Sequence, residues 1–571
     1  MTGLSRPFAA PCGPTGVARH TIDRARTRIL VAGAAFLVAF LAITARLGDL
    51  ALIERDTGSR IARGTPGDTY TGARADITDR NGVLLATSLA TASLFGDARL
   101  VPNPEEAAKK LATVLPDIDR KVIAERLASG RGFVWIKRNL TPRQEYAVNA
   151  LGIPGLDFKR EDRRVYPMGT LAAHVLGFTD LDGHGISGVE MSLDNQVHKR
   201  GETAALSIDV RVQNVLTEAL RQAMADFNAI GAAGLVLDVR NGEILAMTSL
   251  PGFDPNRLNE AKKENLFNRA TLGVYEMGST FKIFTAAMAL DYGTATLAKS
   301  YDATKPIQIS RFTINDYHAE RRWLSVPEIF EVSSNIGAAR MAIEVGPQRQ
   351  HDFLARVGLL KPSPVELPEN GAPLVPNPWK DINTMTIGFG HGISVTPLQL
   401  ATAAAGIVND GVMVSPTILK RAPGETVIGT RVVSQRTSLE MRKLFRLVVS
   451  DGTGKNADAK GYLVGGKTGT AEKTEGRHYA RHALLSSFLG VFPINQPRYL
   501  VLAMLDEPHG NKKTHGYATG GWVAAPAVKQ VIERIAPMLD VMPIGPAPEI
   551  DRALKIETAD KTPGGRKVAS N

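Results

Sequence analysis

Read for the spacing of its hydrophobic and polar positions, the chain opens with one long apolar run and then changes period several times. Residues 29–45 carry no charge and lie between Arg28 and Arg46. Residues 76–86 read as strand, turn, strand around Asn81-Gly82. Residues 103–115 and 117–129 have helical spacing, and Thr141-Pro142 opens a further helix with a cap residue and a proline at its first position. An amphipathic helix is predicted over 210–227. Two apolar runs, 233–239 and 242–247, flank Asn241-Gly242, a strong hairpin signal. Residues 283–290 form an apolar run of helical length. Residues 486–492 and 499–505 read as two more strands, and a helix is predicted over 521–538. Strands at both ends of a helix-rich middle predict an α+β fold, an antiparallel sheet with helices packed on it. Residues 539–571, rich in proline and charge, are expected to be a disordered tail.

The first run changes the picture most. As a helix, residues 29–45 span about 25 Å, a little short of a hydrocarbon core of about 30 Å, and the flanking arginines can snorkel to close the gap. The run is longer than a signal-peptide core and lacks a small-residue cleavage site, so an uncleaved anchor over 29–46 is expected. Arg6, Arg19, Arg24, Arg26 and Arg28 precede it against Asp23 alone, which leaves a basic arm, 1–28, in the cytoplasm and the rest outside it. The net charge of +11 is spread along the chain without aromatic-basic interleaving, which fits an anionic membrane or wall polymer and gives no nucleic-acid partner. The single cysteine, Cys12, precedes the anchor, so neither disulfides nor a cysteine-based metal site is expected. His478 and His482 stand four apart without a helical pattern or a third ligand, and no metal or other cofactor is expected.

Candidate chemistry centres on Gly278-Ser279-Thr280-Phe281-Lys282, placed in the first turn of the helix that follows. Lys282 then lies on the same face as Ser279 and within reach of its hydroxyl. A serine alcohol needs a base, and a lysine becomes one when burial and a neighbouring positive charge lower its pKa. Two further stretches give this pair weight: Ser333-Ser334-Asn335 and Lys467-Thr468-Gly469-Thr470. In this order they form the S-x-x-K, S-x-N and K-T-G set shared by penicillin-binding proteins and class A β-lactamases. Ser333 can relay a proton and the Asn335 amide can hold a substrate amide. Lys467 with the Thr468 and Thr470 hydroxyls can hold a carboxylate, and Gly469 lets a strand backbone come close to a ligand.

Other readings of the same residues are weaker. Residues 461–468 match the phosphate-binding pattern G-x-x-x-x-G-K-[ST], but no apolar strand precedes them and Gly469 opposes a helix after them. Glu366 and Glu369 lie between the second and third motifs, where a β-lactamase carries its water-activating glutamate; in a proline-broken stretch they are expected as surface loop residues. A serine β-lactamase or D,D-carboxypeptidase, and a non-catalytic β-lactam receptor, are the rival readings.

Beyond the short motifs, the chain resembles the class B penicillin-binding proteins, and within them the division-specific peptidoglycan D,D-transpeptidases. The likeness extends from the anchor to about residue 538. It is carried by Asp79-Arg80-Asn81-Gly82, Tyr166-Pro167-Met168-Gly169, Ala173-His174-Val175-Leu176-Gly177, residues 185–190, Gly388-Phe389-Gly390 onward to Gln399, and Gly520-Gly521-Trp522 onward to Pro526. The resemblance implies a membrane anchor, a pedestal (dimerisation-type) domain over 47–205, and a transpeptidase domain of the penicillin-recognising fold over 206–538. It implies that Ser279 attacks the D-alanyl-D-alanine bond of a stem peptide and is acylated by β-lactams. Lys282 would be the base, assisted by Ser333 and Asn335. Lys467, Thr468 and Thr470 would bind the carboxylate, and the N–H groups of Ser279 and Thr470 would form an oxyanion hole. Implied partners are peptidoglycan stem peptides on a lipid-linked polymer, a septal glycan polymerase and other division proteins. Implied placement is the inner membrane, with the catalytic domain periplasmic and at the division septum; side-wall elongation is the alternative that shares this chemistry.

Overall fold

The computed structural model describes residues 74–194, 203–309, 312–475, 478–545 and 547–556 (474, 475 and 478–482 by backbone alone), with Leu30, Ala34, Leu37, Val38, Phe40 and Leu41. The chain divides into two units, Met1–Thr71 and Gly72–Asn571. In the first, the six described residues are helical and exposed. Most of the expected anchor, 29–46, lies outside the described residues. Among those described, no helix is long and apolar enough to cross a membrane.

The second unit begins with the pedestal. Its central strand, Leu84–Gly96, pairs antiparallel with Ile77–Thr78, with Val134–Leu140 and with Leu156–Val165. Three helices, Pro104–Val114, Arg120–Leu127 and Pro142–Ala150, supply Leu111, Ile123, Leu127 and Val148 to a small core shared with Leu94, Ile136 and Leu140 of the strands. Asn103 caps the first helix by accepting the Glu106 N–H, and Thr141 with Gln144 forms a reciprocal capping box on the third. Glu190, fully buried, is held between Arg74 at 2.8 Å and Arg164 at 2.7 Å.

The C-terminal part is built on a five-stranded antiparallel sheet in the order Gly465–Glu475, His478–Phe492, Tyr499–Asp506, Gly231–Asp238, Ile244–Leu250. Tyr499–Asp506 is buried along its whole length because helices cover both faces. Leu500, Leu502 and Met504 join one core with helices Lys282–Asp291, Pro397–Val408 and Gln435–Ser450. Val501, Ala503 and Leu505 join the other with Val210–Asp226 and Gly520–Ile535. Gly465–Glu475 is an edge strand, so Lys467 stands on extended backbone and the phosphate-loop reading of 461–468 fails.

One expectation is corrected here. Residues 539–545 and 547–556, assigned to a disordered tail, are ordered: Val541 is buried, Ile544 N–H donates to the Gly461 carbonyl at 2.7 Å, and Pro548–Leu554 is a helix. Leu554 and Ile556 pack on the main core. A handful of apolar anchors outweighs an average composition rich in proline and charge. Residues 557–571 lie outside the described residues.

Candidate active site

Every residue of helix Lys282–Asp291 from Lys282 to Leu290 is buried. A helix that is apolar all round belongs inside a protein. It starts from a single tight turn, Gly278–Phe281, which carries Ser279. The Lys282 amine therefore lies 2.8 Å from the Ser279 hydroxyl. Gly278 has φ +52°, and a Cβ there would come within 2.5 Å of the Thr470 carbonyl oxygen on the edge strand. Only glycine lets the nucleophile turn sit this close to that strand.

The second motif is a turn between two helices. Val326–Val332, capped by Ser325, ends at Ser333, a non-glycine residue with φ +63°. Ser334 then caps Asn335–Val345 by accepting the Gly337 N–H at 3.0 Å. This turn directs three oxygens at Lys282: the Ser333 carbonyl at 2.7 Å, the Ser333 hydroxyl at 3.1 Å and the Asn335 amide oxygen at 2.7 Å. Asp316 holds the turn by accepting the Ser334 O–H at 2.8 Å and the Ile336 N–H at 3.0 Å, while Asn335 donates to the Asn315 carbonyl at 3.0 Å.

The third motif closes the pocket. The Lys467 amine lies 3.0 Å from the Ser333 hydroxyl and 5.7 Å above the Phe330 ring. Thr468 and Thr453 share a hydroxyl hydrogen bond of 2.8 Å, and the Thr470 hydroxyl oxygen accepts the Gly520 N–H at 3.1 Å. Accepting that bond leaves the Thr470 O–H free to donate to a carboxylate. Gly469 departs from expectation in its reason. A Cβ there would lie 2.4 Å from Ser487 Oγ and 2.9 Å from the Met277 carbonyl oxygen, so the close approach is to the protein's own turn and neighbouring strand.

Both lysines are buried, with exposures of 2% and 0%. Burial pushes the Lys282 amine well below its ordinary pKa of 10.5, and the Lys467 charge pushes it further down, against an opposing pull from Asp316. Burial pushes Lys467 down to about 7. A neutral Lys282 can accept the Ser279 proton, and a charged Lys467 can bind an anion.

All the residues singled out in the three motifs thus meet in one pocket. Asp316, Asn315, Phe330 and Thr453 were not anticipated. Asp316 and Thr453 lie in irregular stretches with no motif to mark them, and Phe330 reads as an ordinary core residue. Glu366 and Glu369 lie in a loop, as expected, but they are half-buried and hydrogen-bonded where surface residues were expected. Glu366 accepts from the Thr417 hydroxyl at 2.7 Å and the Ile418 N–H at 2.9 Å, and Glu369 accepts from the Gly188 N–H at 3.1 Å, tying the catalytic part to the pedestal. Among the described residues, no group of three or more His, Cys, Asp and Glu side chains is placed to hold a metal ion.

Residues 232–533 match the family described as penicillin binding protein transpeptidase domain, and residues 69–219 match the penicillin-binding protein dimerisation domain. The chain belongs to the penicillin-binding protein transpeptidase family, in the class B arrangement that joins these two domains. It is similar to the probable peptidoglycan D,D-transpeptidase FtsI of Caulobacter vibrioides, at 43% identity over 91% of this chain and 90% of the relative. It is also similar to the probable peptidoglycan D,D-transpeptidase PenA of Neisseria meningitidis, at 34% identity over 84% and 86%. The crystal structure of penicillin binding protein 3 from Mycobacterium tuberculosis complexed with aztreonam superposes with a TM-score of 0.66, at 27% identity, covering 83% of this chain and 98% of that one.

Proposed function

We propose that this chain is a serine D-alanyl-D-alanine transpeptidase that cross-links peptidoglycan at the division septum and is acylated by β-lactams. The observation that carries this is the meeting of Ser279, Lys282, Ser333, Asn335 and Lys467 within hydrogen-bonding distance of one another. The names of the relatives and the family match support the activity and the septal setting.

In this mechanism Lys282 takes the Ser279 proton as Oγ attacks the carbonyl carbon of the D-alanyl-D-alanine bond. The N–H groups of Ser279 and Thr470 stabilise the oxyanion. The C–N bond breaks, the Ser333 hydroxyl relays the proton held by Lys282 to the departing amine, and an ester to Ser279 remains with Lys282 neutral again. Lys467 with the Thr468 and Thr470 hydroxyls holds the terminal carboxylate, and Gly469 keeps their strand against the nucleophile turn. Asn335 orients the stem-peptide amide. An amine from a neighbouring stem peptide then attacks the ester and gives a proton to Lys282, the C–O bond breaks, and Lys282 returns that proton to Ser279.

The domain plan follows the same reading: a cytoplasmic arm over 1–28, an anchor over 29–46, a pedestal over 47–205 and a periplasmic transpeptidase domain over 206–538. The basic arm and the uncharged run after it support the inner-membrane placement. A septal glycan polymerase and other division proteins are the partners this setting requires. Comparing cross-linked wall fragments from wild type and a Ser279→Ala strain tests the chemistry, with septal cross-links lost in the variant. Depletion tests the location: filaments support the septum, whereas round cells indicate elongation.

A further inference from the structure

The proposed carboxylate site uses two hydroxyls, those of Thr468 and Thr470. A hydroxyl has one proton to give and two lone pairs with which to receive. It presents that proton to an anion most firmly when another donor fills a lone pair and so fixes the O–H rotor. For Thr470 the other donor is the Gly520 N–H at 3.1 Å. For Thr468 the Lys467 amine stands at 3.4 Å, beyond the usual range of a strong hydrogen bond. Its short bond, 2.8 Å, is to the hydroxyl of Thr453.

Either hydroxyl of that pair can donate to the other. An anion beside Thr468 selects one direction. Thr453 then gives its proton to Thr468 Oγ1, and Thr468 gives its own to the carboxylate. Donors in such a chain polarise one another, so the bond to the anion gains strength from the bond behind it.

Thr453 is exposed, yet its turn is fixed. Gly452 N–H donates to the Leu447 carbonyl at 3.1 Å and Gly454 N–H to the Val448 carbonyl at 2.9 Å, at the end of helix Gln435–Ser450. The Asn456 amide donates to the Gly521 carbonyl at 2.9 Å. A Cβ on Gly521 would lie 2.4 Å from the Thr453 carbonyl oxygen. The turn is therefore seated on the start of helix Gly520–Ile535, the same helix start that serves Thr470. The fixed backbone aims the Thr453 side chain, and its exposure leaves it no share in the core.

We infer that Thr453 is a positioning residue of the carboxylate site: its hydroxyl sets the Thr468 O–H and strengthens anion binding through it. This rests on the transpeptidase reading, in which Lys467, Thr468 and Thr470 hold the carboxylate.

The test is the acylation kinetics of the full-length protein in detergent with a fluorescent penicillin, followed across concentration so that half-saturation and limiting rate separate. Thr453→Val keeps the shape of the side chain and removes its hydroxyl. The half-saturating concentration should rise about tenfold, the scale of one hydrogen bond to a charged group. The limiting rate should stay within about twofold of wild type, as expected when binding alone is lost. Thr453→Ser keeps the O–H and should restore wild-type half-saturation. With the methyl ester of the same penicillin, which has no carboxylate, wild type and Thr453→Val should react alike. Both variants should keep the wild-type melting temperature, because the side chain is exposed.

A Thr453→Val protein that saturates like wild type, a loss confined to the limiting rate, or a failure of Thr453→Ser to rescue would each overturn the inference. An equal loss with the methyl ester, with or without earlier melting, would overturn it too and assign Thr453 to the stability of its turn. Absence of any Ser279 adduct in the wild type would strike the transpeptidase reading itself. Normal wild-type acylation with an unaltered Thr453→Val strikes the role of Thr453 alone.

Discussion

Lys282 and Lys467 both reach the same hydroxyl, that of Ser333, at 3.1 and 3.0 Å. Two buried amines this close cannot both carry a proton cheaply, because each charge disfavours the other in a site that excludes water. The pair therefore divides the labour, one amine neutral as base and one charged as anion binder.

This division sets the pH dependence of acylation. For the free protein, kcat/KM should rise as Lys282 loses its proton, well below the ordinary lysine value, and fall as Lys467 loses its own at about 7. A bound carboxylate should move the second limb upward. Stability carries the same signature. Between about 7, where folded Lys467 deprotonates, and 10.5, its ordinary value, the unfolded chain holds more protons, so unfolding free energy should rise with pH. Denaturant titrations of Lys467→Met against wild type would read this, since the variant should lose that slope.

Asp316 acts through the turn it holds. Asp316→Asn keeps the shape but removes the charge that receives Ser334 and Ile336, and each charge-assisted bond is worth about 1.5–3 kcal/mol. Acylation should slow about tenfold or more. Because the Asp316 charge raises the Lys282 pKa, the acid limb should also shift to lower pH. Stopped-flow acylation across pH separates this from simple loss of stability, which would leave the limb in place.

Gly278→Ala tests the approach of turn to strand. The added methyl meets the Thr470 carbonyl oxygen at 2.5 Å on a backbone with φ +52°. A cost of about 1–3 kcal/mol in stability is expected. Acylation should fall by more than the unfolded fraction explains, as the Ser279 turn moves away from Thr470. Thermal melting paired with penicillin labelling makes that comparison.

In the pedestal, Glu190→Ala leaves Arg74 and Arg164 buried without their shared carboxylate. Breaking a buried pair this way costs about 3–5 kcal/mol. A lowered melting temperature is expected, with near-normal acylation in the fraction still folded.

Much of this could be read in advance for physical reasons. Ser279 and Lys282 are three residues apart at a helix start, so local geometry alone brings them together. The strands around Tyr499–Asp506 announce themselves because burial on both faces demands an unbroken apolar run. Ser333 and Lys467 reach Lys282 only through the tertiary fold, and their short motifs carry weight through order along the chain. Asp316 left no trace, since its link to Ser334 depends on how the short strands Ile307–Ile309 and Phe312–Ile314 pair just before it. Residues 539–545 and 547–556 misled for the opposite reason: Val541, Leu554 and Ile556 are too sparse to show as a period, yet they suffice to dock these stretches.

The central claim is that Ser279 is the nucleophile of this pocket. Mass spectrometry of the full-length protein after exposure to a β-lactam tests it most directly. The prediction is a single covalent adduct on the peptide containing Ser279, absent from Ser279→Ala and strongly reduced, by about 10²–10⁴ in rate, in Lys282→Ala. An adduct on any other residue, or undiminished labelling of Ser279→Ala, would contradict it.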